Sequence, residues 1–272
     1  MMNVLVTGGA GYIGSHVVEE LQKNGFTPIV YDNLSTGHAA AVPEEVQLVE
    51  GDIHDVAFLK HIMAQFEIDA VIHFAASSLV GESMENPSKY YFNNVEGSLH
   101  LLEAMKGAGV DYIVFSSTAA VYGEPESVPI KEDSCLNPTN VYGRTKLMIE
   151  KMLADYDMAY EMRYVALRYF NAAGASPSRD IGEDHDPESH LIPLVLKTAQ
   201  GVRRQVAIYG TDYATADVPV CVIMFMSATW QRHMFWHSSI CWLEERAACI
   251  IWEVKMVSVC ARSSMLLKRL RG

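Results

Sequence analysis

The first 217 residues predict an α/β fold built on a doubly wound parallel sheet. Three observations predict it. Short β-branched or apolar runs alternate with stretches of helical spacing from Val4 to Tyr169. A glycine cluster follows directly on the first run and opens into a helical stretch. Ala70 to Phe74 reads as an apolar run, as expected of a parallel strand buried on both faces.

The elements follow in order. Val4 to Thr7 is a short strand, and His16 to Lys23 is a helix after the glycines. Thr27 to Asp32 and Val46 to Glu50 are the second and third strands. Val56 to Phe66 is helical by its apolar spacing, and Ala70 to Phe74 is the fourth strand. Asn93 to Lys106 is a helix, Tyr112 to Ser116 the fifth strand, Tyr142 to Tyr156 a helix and Tyr164 to Tyr169 the sixth strand. Such alternation places parallel strands in one sheet with helices on both faces.

Composition narrows the partners. The formal net charge of −12 argues against nucleic acid or an anionic membrane. No basic stretch precedes the first apolar run, so no signal peptide is expected, and no window reaches the ~18 apolar residues of a membrane span. A cytoplasmic setting is the expectation. Of five cysteines only Cys135 precedes residue 218, and Cys221, Cys241, Cys249 and Cys260 lack metal-ligand spacing. No metal site is therefore expected.

Composition breaks near residue 217. Residues 1–217 hold 17 of the 18 glycines and none of the four tryptophans, with 30 acids against 14 Lys and Arg. Residues 218–272 hold all four tryptophans, with three acids against seven bases. Past Pro219 the tail has no proline, and it has no Asp or Asn, so the turn punctuation of a folded α/β segment is lacking.

The glycine cluster points to a dinucleotide. Gly8, Gly11 and Gly14 are spaced G-x-x-G-x-x-G between strand and helix. The first permits the turn, the second lets a pyrophosphate approach the backbone, and the third lets the helix pack on its strand. The phosphate charge then meets unpaired N–H groups at the helix N-terminus. Asp32, ending the second strand, suits a ribose diol and repels a 2′-phosphate, which favours NAD over NADP. Asp52 follows the third strand and reads either as a cofactor contact or as a turn aspartate.

Tyr142-Gly143-Arg144-Thr145-Lys146 is a Y-x-x-x-K, which places phenol and ammonium on one helix face. The ammonium is expected to lower the phenol's pKa and make Tyr142 a general acid/base. Thr118, at the end of the fifth strand, supplies a hydroxyl to relay a proton or hold a sugar oxygen.

Together TGGAGYIGSH, YDNLSTG, EGDI, VIHFAA, VGES, YYFNNV, FSSTAAVYG, NPTNVYGRTKLMIE, LRYFNAAGA and IGEDH cover almost all of residues 3–217 in order. In these motifs the chain resembles the UDP-glucose 4-epimerases of the extended short-chain dehydrogenase/reductase family. The resemblance implies a Rossmann-type NAD-binding domain over 1–170, the start of a UDP-sugar lobe over 171–217, and an aberrant tail over 218–272. It makes Tyr142 the base, Lys146 its partner and a ribose ligand, and Thr118 the active-site hydroxyl. Gly8, Gly11, Tyr12, Ile13, Gly14, Asp32, Asn33, Asp52, Ile53, Phe74, Ala75, Ala76 and Asn93 match cofactor positions. Phe170, Asn171 and Leu191 match positions near the UDP-sugar, Phe170 also bordering the cofactor. Ser78 stands where some members carry a cofactor-binding lysine. The implied partners are a UDP-sugar and a second copy of the chain.

The tail also bears on this resemblance. In one permitted coding of Val218 to Met226, restoring one nucleotide makes the segment read G-T-C-V-R-D-Y-V-H. That matches the G-x-x-x-R-D-Y-x-H segment the family carries next, so residues 218–272 read as frame-shifted. A poorly soluble product is expected from such a tail.

The expected reaction is interconversion of UDP-galactose and UDP-glucose through a 4-keto sugar. A related dehydratase would carry acids after Thr118, where Ala119 and Ala120 stand. The third alternative is an inactive chain that binds NAD alone. His73 and His100 read as core or surface histidines, and Glu183-Asp184-His185-Asp186 as a solvated loop.

Overall fold

The computed structural model describes residues 1–207 together with two short strands, Met224–Met226 and Ala248–Ile251. Strands β1 (Asn3–Thr7), β2 (Thr27–Asp32), β3 (Gln47–Glu50), β4 (Ala70–His73), β5 (Tyr112–Ser116) and β6 (Arg163–Arg168) form one parallel sheet in the order β3-β2-β1-β4-β5-β6. The order reverses between β1 and β4, which is where ligands bind in doubly wound sheets.

Alternation along the strands sorts the core into two layers. Leu5, Ile29, Val71, Ile113 and Ala166 face one side of the sheet, with Leu59, Leu101 and Met105 packed against them. Val4, Val6, Val30, Ile72, Val114 and Val165 face the other, against Val17, Val18 and Leu21. The first layer lies under α2 (Val56–Gln65), α5 (Gly97–Ala108) and α6 (Val141–Tyr160), the second under α1 (Tyr12–Lys23). Because both faces are covered, the central strands are mainly apolar, with Thr7, His73 and Ser116 buried at their carboxyl ends.

Several elements go beyond the sequence reading. Helices α3 (Val80–Glu85) and α4 (Pro87–Tyr90) precede a π-helical stretch, Tyr91–Glu96, which runs into α5. A 3-10 turn spans Ala119–Tyr122, and β7 (Asn171–Ala173) and α7 (Leu191–Ala199) follow β6. The strand reading at Phe74 shortens by a residue, since β4 ends at His73 and the Phe74 N–H donates to the Thr7 carbonyl at the site.

The tail contributes β8 (Met224–Met226), parallel to β7, and β9 (Ala248–Ile251), which extends the main sheet beside β6. The six strands read from sequence thus become seven. Parallel pairing needs only backbone N–H and C=O groups, so a short apolar segment can enter a ladder whatever its origin. The rest of the frame-shifted reading lies outside the described residues. Among those residues no helix is long and apolar enough to cross a membrane.

Candidate functional site

The site is assembled at the carboxyl ends of β1, β4 and β5. The chain turns sharply after β1 because Gly8 adopts φ +72°, and a Cβ there would lie 2.6 Å from the Ala75 nitrogen. Gly14 lies inside α1, where a Cβ would come within 2.2 Å of the Gly8 carbonyl oxygen. Both glycines are therefore required by packing. Gly11 differs, because its added Cβ would meet protein only at the Gly8 oxygen, at 3.3 Å. Gly11 is the N-cap of α1, which has no side-chain cap and no acid in its first turn. This leaves an open cradle of backbone donors suited to a phosphate.

Asp32 is buried beside the bend. Its Oδ2 accepts from the Ala10 N–H at 3.0 Å and its Oδ1 from the Leu34 N–H at 2.9 Å. The carboxylate therefore holds the glycine loop, as the cofactor-side expectation for Asp32 did not foresee. Beside it, Asn33 donates to Asp52 Oδ2 at 3.0 Å, while Asp52 Oδ1 accepts from the His54 N–H at 2.9 Å. Burial works against the ionised Asp52, but these hydrogen bonds outweigh it and hold its pKa below the usual range. Asp52 is thus a cofactor-side candidate and a turn aspartate at once. Ile53 is buried against Gly97, whose added Cβ would lie 2.4 Å from Ile53 Cδ1. The Tyr12 hydroxyl donates to the Gly174 carbonyl at 2.8 Å.

Helix α6 presents Tyr142 and Lys146 on one face. The Asn140 side chain caps the helix by accepting from the Gly143 N–H at 2.7 Å. Lys146 is 2% exposed, and its Nζ donates to the Ser116 carbonyl at 2.8 Å. It lies 4.8 Å from the Phe115 ring centroid and 5.8 Å from that of Tyr142. Thr118 is buried and accepts from the Ala120 N–H at 3.1 Å, leaving its hydroxyl proton for the Tyr142 phenol. The structure thus brings Tyr142, Lys146 and Thr118 together.

Their electrostatics correct the sequence reading. Burial pushes the Tyr142 phenol up to about 12, although the hydrogen bond with Thr118 pulls it down. Burial brings Lys146 down to about 7, with the Glu150 carboxylate opposing the change. The ammonium expected to lower the phenol is itself desolvated, so its charged form is disfavoured.

Buried polar side chains behind this pair hold it in place. Arg168 and Glu150 form a buried ion pair, Nη2 to Oε2 at 2.6 Å, and Ser117 donates to Glu150 Oε1 at 2.5 Å. Asn94, fully buried, accepts from the Ser77 N–H at 2.8 Å and donates to the Ser77 carbonyl at 3.0 Å and to Thr145 Oγ1 at 3.2 Å. It ties the segment after β4 to α6, with Asn93 beside it donating to Asn94 Oδ1 at 3.0 Å. The sequence reading missed Asn94 and the Ser116 carbonyl. The Asn-Asn pair in YYFNNV was the available signal for Asn94; nothing in the sequence marks a backbone carbonyl as a lysine partner.

Asn171 and Leu191 meet in a pocket with Ala172, Ala173, His190 and Pro193. Phe170 is half-buried at the end of β6, alongside the apolar layer that holds Phe74. Ala75 and Ala76 are half-buried beyond β4, the Ala75 N–H donating to Thr7 O at 3.1 Å. Ile13 packs on the same layer as Val17 and Val18.

A sequence model described as the NAD dependent epimerase/dehydratase family matches residues 4–218. The chain belongs to that family. It is 52% identical over 216 residues to a UDP-glucose 4-epimerase of Lacticaseibacillus casei, an alignment covering 79% of this chain and 65% of that relative. The chain thus spans less than two thirds of that relative's length. Its structure is similar to that of UDP-glucose 4-epimerase from Brucella ovis in complex with NAD, with TM-score 0.92 and 45% identity, over 96% of this chain and 80% of that one. The UDP-glucose 4-epimerase of Bifidobacterium longum in complex with NAD+ and UDP is similar at TM-score 0.87 and 34% identity, over 95% and 80%. The family assignment agrees with the expected fold class, and the glycine bend, the Tyr142–Lys146 helix and Thr118 fall within the matched span.

Proposed function

We propose that this epimerase/dehydratase family chain carries a UDP-glucose 4-epimerase site that works with bound NAD. The observation that carries the reading is the convergence of Tyr142, Lys146 and Thr118 beyond the carboxyl end of β5, two strands along the sheet from β1 and the open cradle at Gly11 that follows it. Residues 1–170 hold the dinucleotide: the Gly8–Gly14 bend and the backbone of Tyr12 and Ile13 take the pyrophosphate. Asp32 and Asn33 take one ribose, Asp52 and Ile53 the base, and Phe74, Ala75, Ala76, Asn93, Lys146 and Phe170 border the nicotinamide end. Asn171 and Leu191 begin the UDP-sugar side over 171–217.

Held there, NAD would supply a hydride acceptor for sugar carbon 4 and a donor for the return to the other face. Tyr142 takes the proton of the 4-hydroxyl as general base and gives it back as general acid, with Thr118 relaying it or steadying the oxygen. A phenol at about 12 needs a positive neighbour for this task. The Lys146 ammonium is the positive group this chain holds beside it, with Nζ 5.8 Å from the Tyr142 ring centroid. Lys146 is pre-aimed by the Ser116 carbonyl. UDP contacts must hold the nucleotide firmly while the sugar stays loosely held, so that it can turn within the site. Ala119 and Ala120 follow Thr118 in the 3-10 turn, so no carboxylate stands there to expel water, which disfavours a dehydratase.

A cytoplasmic setting and a homodimer accompany the proposal. Exposed Met84, Phe92, Leu99 and Met148 lie on α3, the π-helical stretch, α5 and α6, elements that pack against one another and offer an apolar surface to a second copy.

The test uses the whole chain with NAD and UDP-galactose. Isothermal titration calorimetry is expected to report NAD binding, and UDP-glucose is expected as product. Tyr142→Phe is expected to keep NAD binding and to lower turnover by roughly 10²–10⁴-fold. Failure of the folded chain to bind NAD, or unchanged turnover in the variant, overturns the reading.

A further inference from the structure

Four potential metal ligands meet on the loop that leads into α7. Glu183, His185, Glu188 and His190 each direct a ligand atom into one cluster, all four atoms lying within 4.8 Å of one another. The sequence reading took residues 183–186 as a solvated loop; the fold adds Glu188 and His190 and closes the group.

The details favour a cation over a set of ion pairs. His185 Nδ1 lies 3.4 Å from Glu183 Oε1 and 4.0 Å from Glu188 Oε1. The His190 Nδ1 shares the same Glu183 oxygen. The two imidazoles meet edge to face, with ring centroids 5.1 Å apart. The carboxylate side chains of Glu183 and Glu188 are 7% and 4% exposed. Glu188 Oε1 accepts from the N–H groups of Ser189 and His190, each at 2.8 Å. Its Oε2 is buried and has no hydrogen-bond partner among the described residues. A buried carboxylate oxygen without a donor is costly, and a cation would remove that cost.

We propose that Glu183, His185, Glu188 and His190 bind one divalent transition-metal ion of the zinc class. Two imidazoles with two carboxylates suit a borderline cation, whereas magnesium and calcium select oxygen-only sets. With all four ligands from the protein, the site is closed and structural. It fastens the 183–190 loop to the start of α7, where Leu191 lines the pocket with Asn171. Tyr12 stacks edge-on to His185 at 6.2 Å, so the same ion would steady the loop against the glycine bend.

Cobalt(II) titration of the full chain, with its cysteines alkylated beforehand, tests the assignment. Wild type is expected to bind one equivalent with visible d–d bands and no thiolate charge-transfer band, and zinc is expected to displace the cobalt. His185→Ala and Glu188→Gln, tested separately, are each expected to abolish the d–d bands at the cobalt concentration that saturates wild type. His61→Ala, on exposed α2 surface, is expected to leave them intact. Zinc is expected to raise the unfolding temperature of wild type and of neither ligand variant. Absence of cobalt binding by the folded wild-type chain overturns the proposal. So does binding that persists in both ligand variants. None of these readouts depends on turnover, so the epimerase reading stands or falls separately.

Discussion

Lys146 shows how much of the candidate chemistry depends on burial. Its folded pKa lies at about 7, against 10.5 for the free side chain, because desolvation disfavours the ammonium. Between those values the unfolded chain holds a proton that the folded chain has released, so stability rises with pH across that window. Lys146→Met is expected to remove this contribution. Denaturant unfolding at steps from about pH 7 to 10 should then rise less steeply in the variant, by at most about 1.4 kcal/mol per pH unit. Parallel curves for the two proteins would show that Lys146 does not titrate in that window. At this scale the residues of the site were legible because Y-x-x-x-K and G-x-x-G-x-x-G encode their own geometry. The sign of the Tyr142 shift was not legible, since it depends on how deep α6 sets the phenol. Asp32 was read as a ribose ligand alone; its two backbone donors belong to Ala10 and Leu34, which only the folded loop brings to it.

Helix α6 carries the candidate pair Tyr142 and Lys146, and the Asn140 side chain caps its start. Asn140 Oδ1 accepts the Gly143 N–H, and the Tyr142 N–H donates to Ser83 Oγ at 3.2 Å. Asn140→Ala is expected to cost about 1 kcal/mol in chemical denaturation, while Asn140→Asp keeps nearly all of the stability. Equal losses in both variants would show that the cap bond contributes nothing. The strands and long helices were legible because β-branched runs and helical spacing are local properties. The segment from Val80 to Phe92 was not, because Gly81 and Pro87 break it into pieces shorter than a helical repeat can reveal. The π-helical stretch puts Asn94 under Ser77, a placement no periodicity encodes. Helix α7 was missed through Pro193, which lies in the first turn, where a missing N–H costs no intrahelical bond.

At the scale of the molecule, the apolar side chains left outside the core define a testable surface. Leu99 is 39% exposed and Met148 is 43% exposed, on α5 and α6 respectively. Leu99→Glu combined with Met148→Glu is expected to convert a dimer into a monomer in sedimentation velocity, with NAD binding retained. A wild-type chain that sediments as a monomer removes that part of the proposal. The two-layer core was legible because both faces of a parallel sheet must be covered; the pairing of Ala248–Ile251 with β6 was not, because the tail's composition carries no turn signals.

Helix α1 has a consequence for how the ligands communicate. Its N-terminus forms the cradle, and its flank is fastened to the chain beyond β7. Tyr12 donates to the Gly174 carbonyl, Ser176 donates to Glu19 at 2.8 Å, and Lys23 reaches Ser178 at 3.2 Å. One rod therefore supports both the phosphate seat and the stretch leading to the pocket of Asn171 and Leu191. Ordering by either ligand lowers the entropy left for the other to remove. Occupancy by dinucleotide should thus tighten the grip on uridine nucleotide, and reciprocity demands the same factor in return.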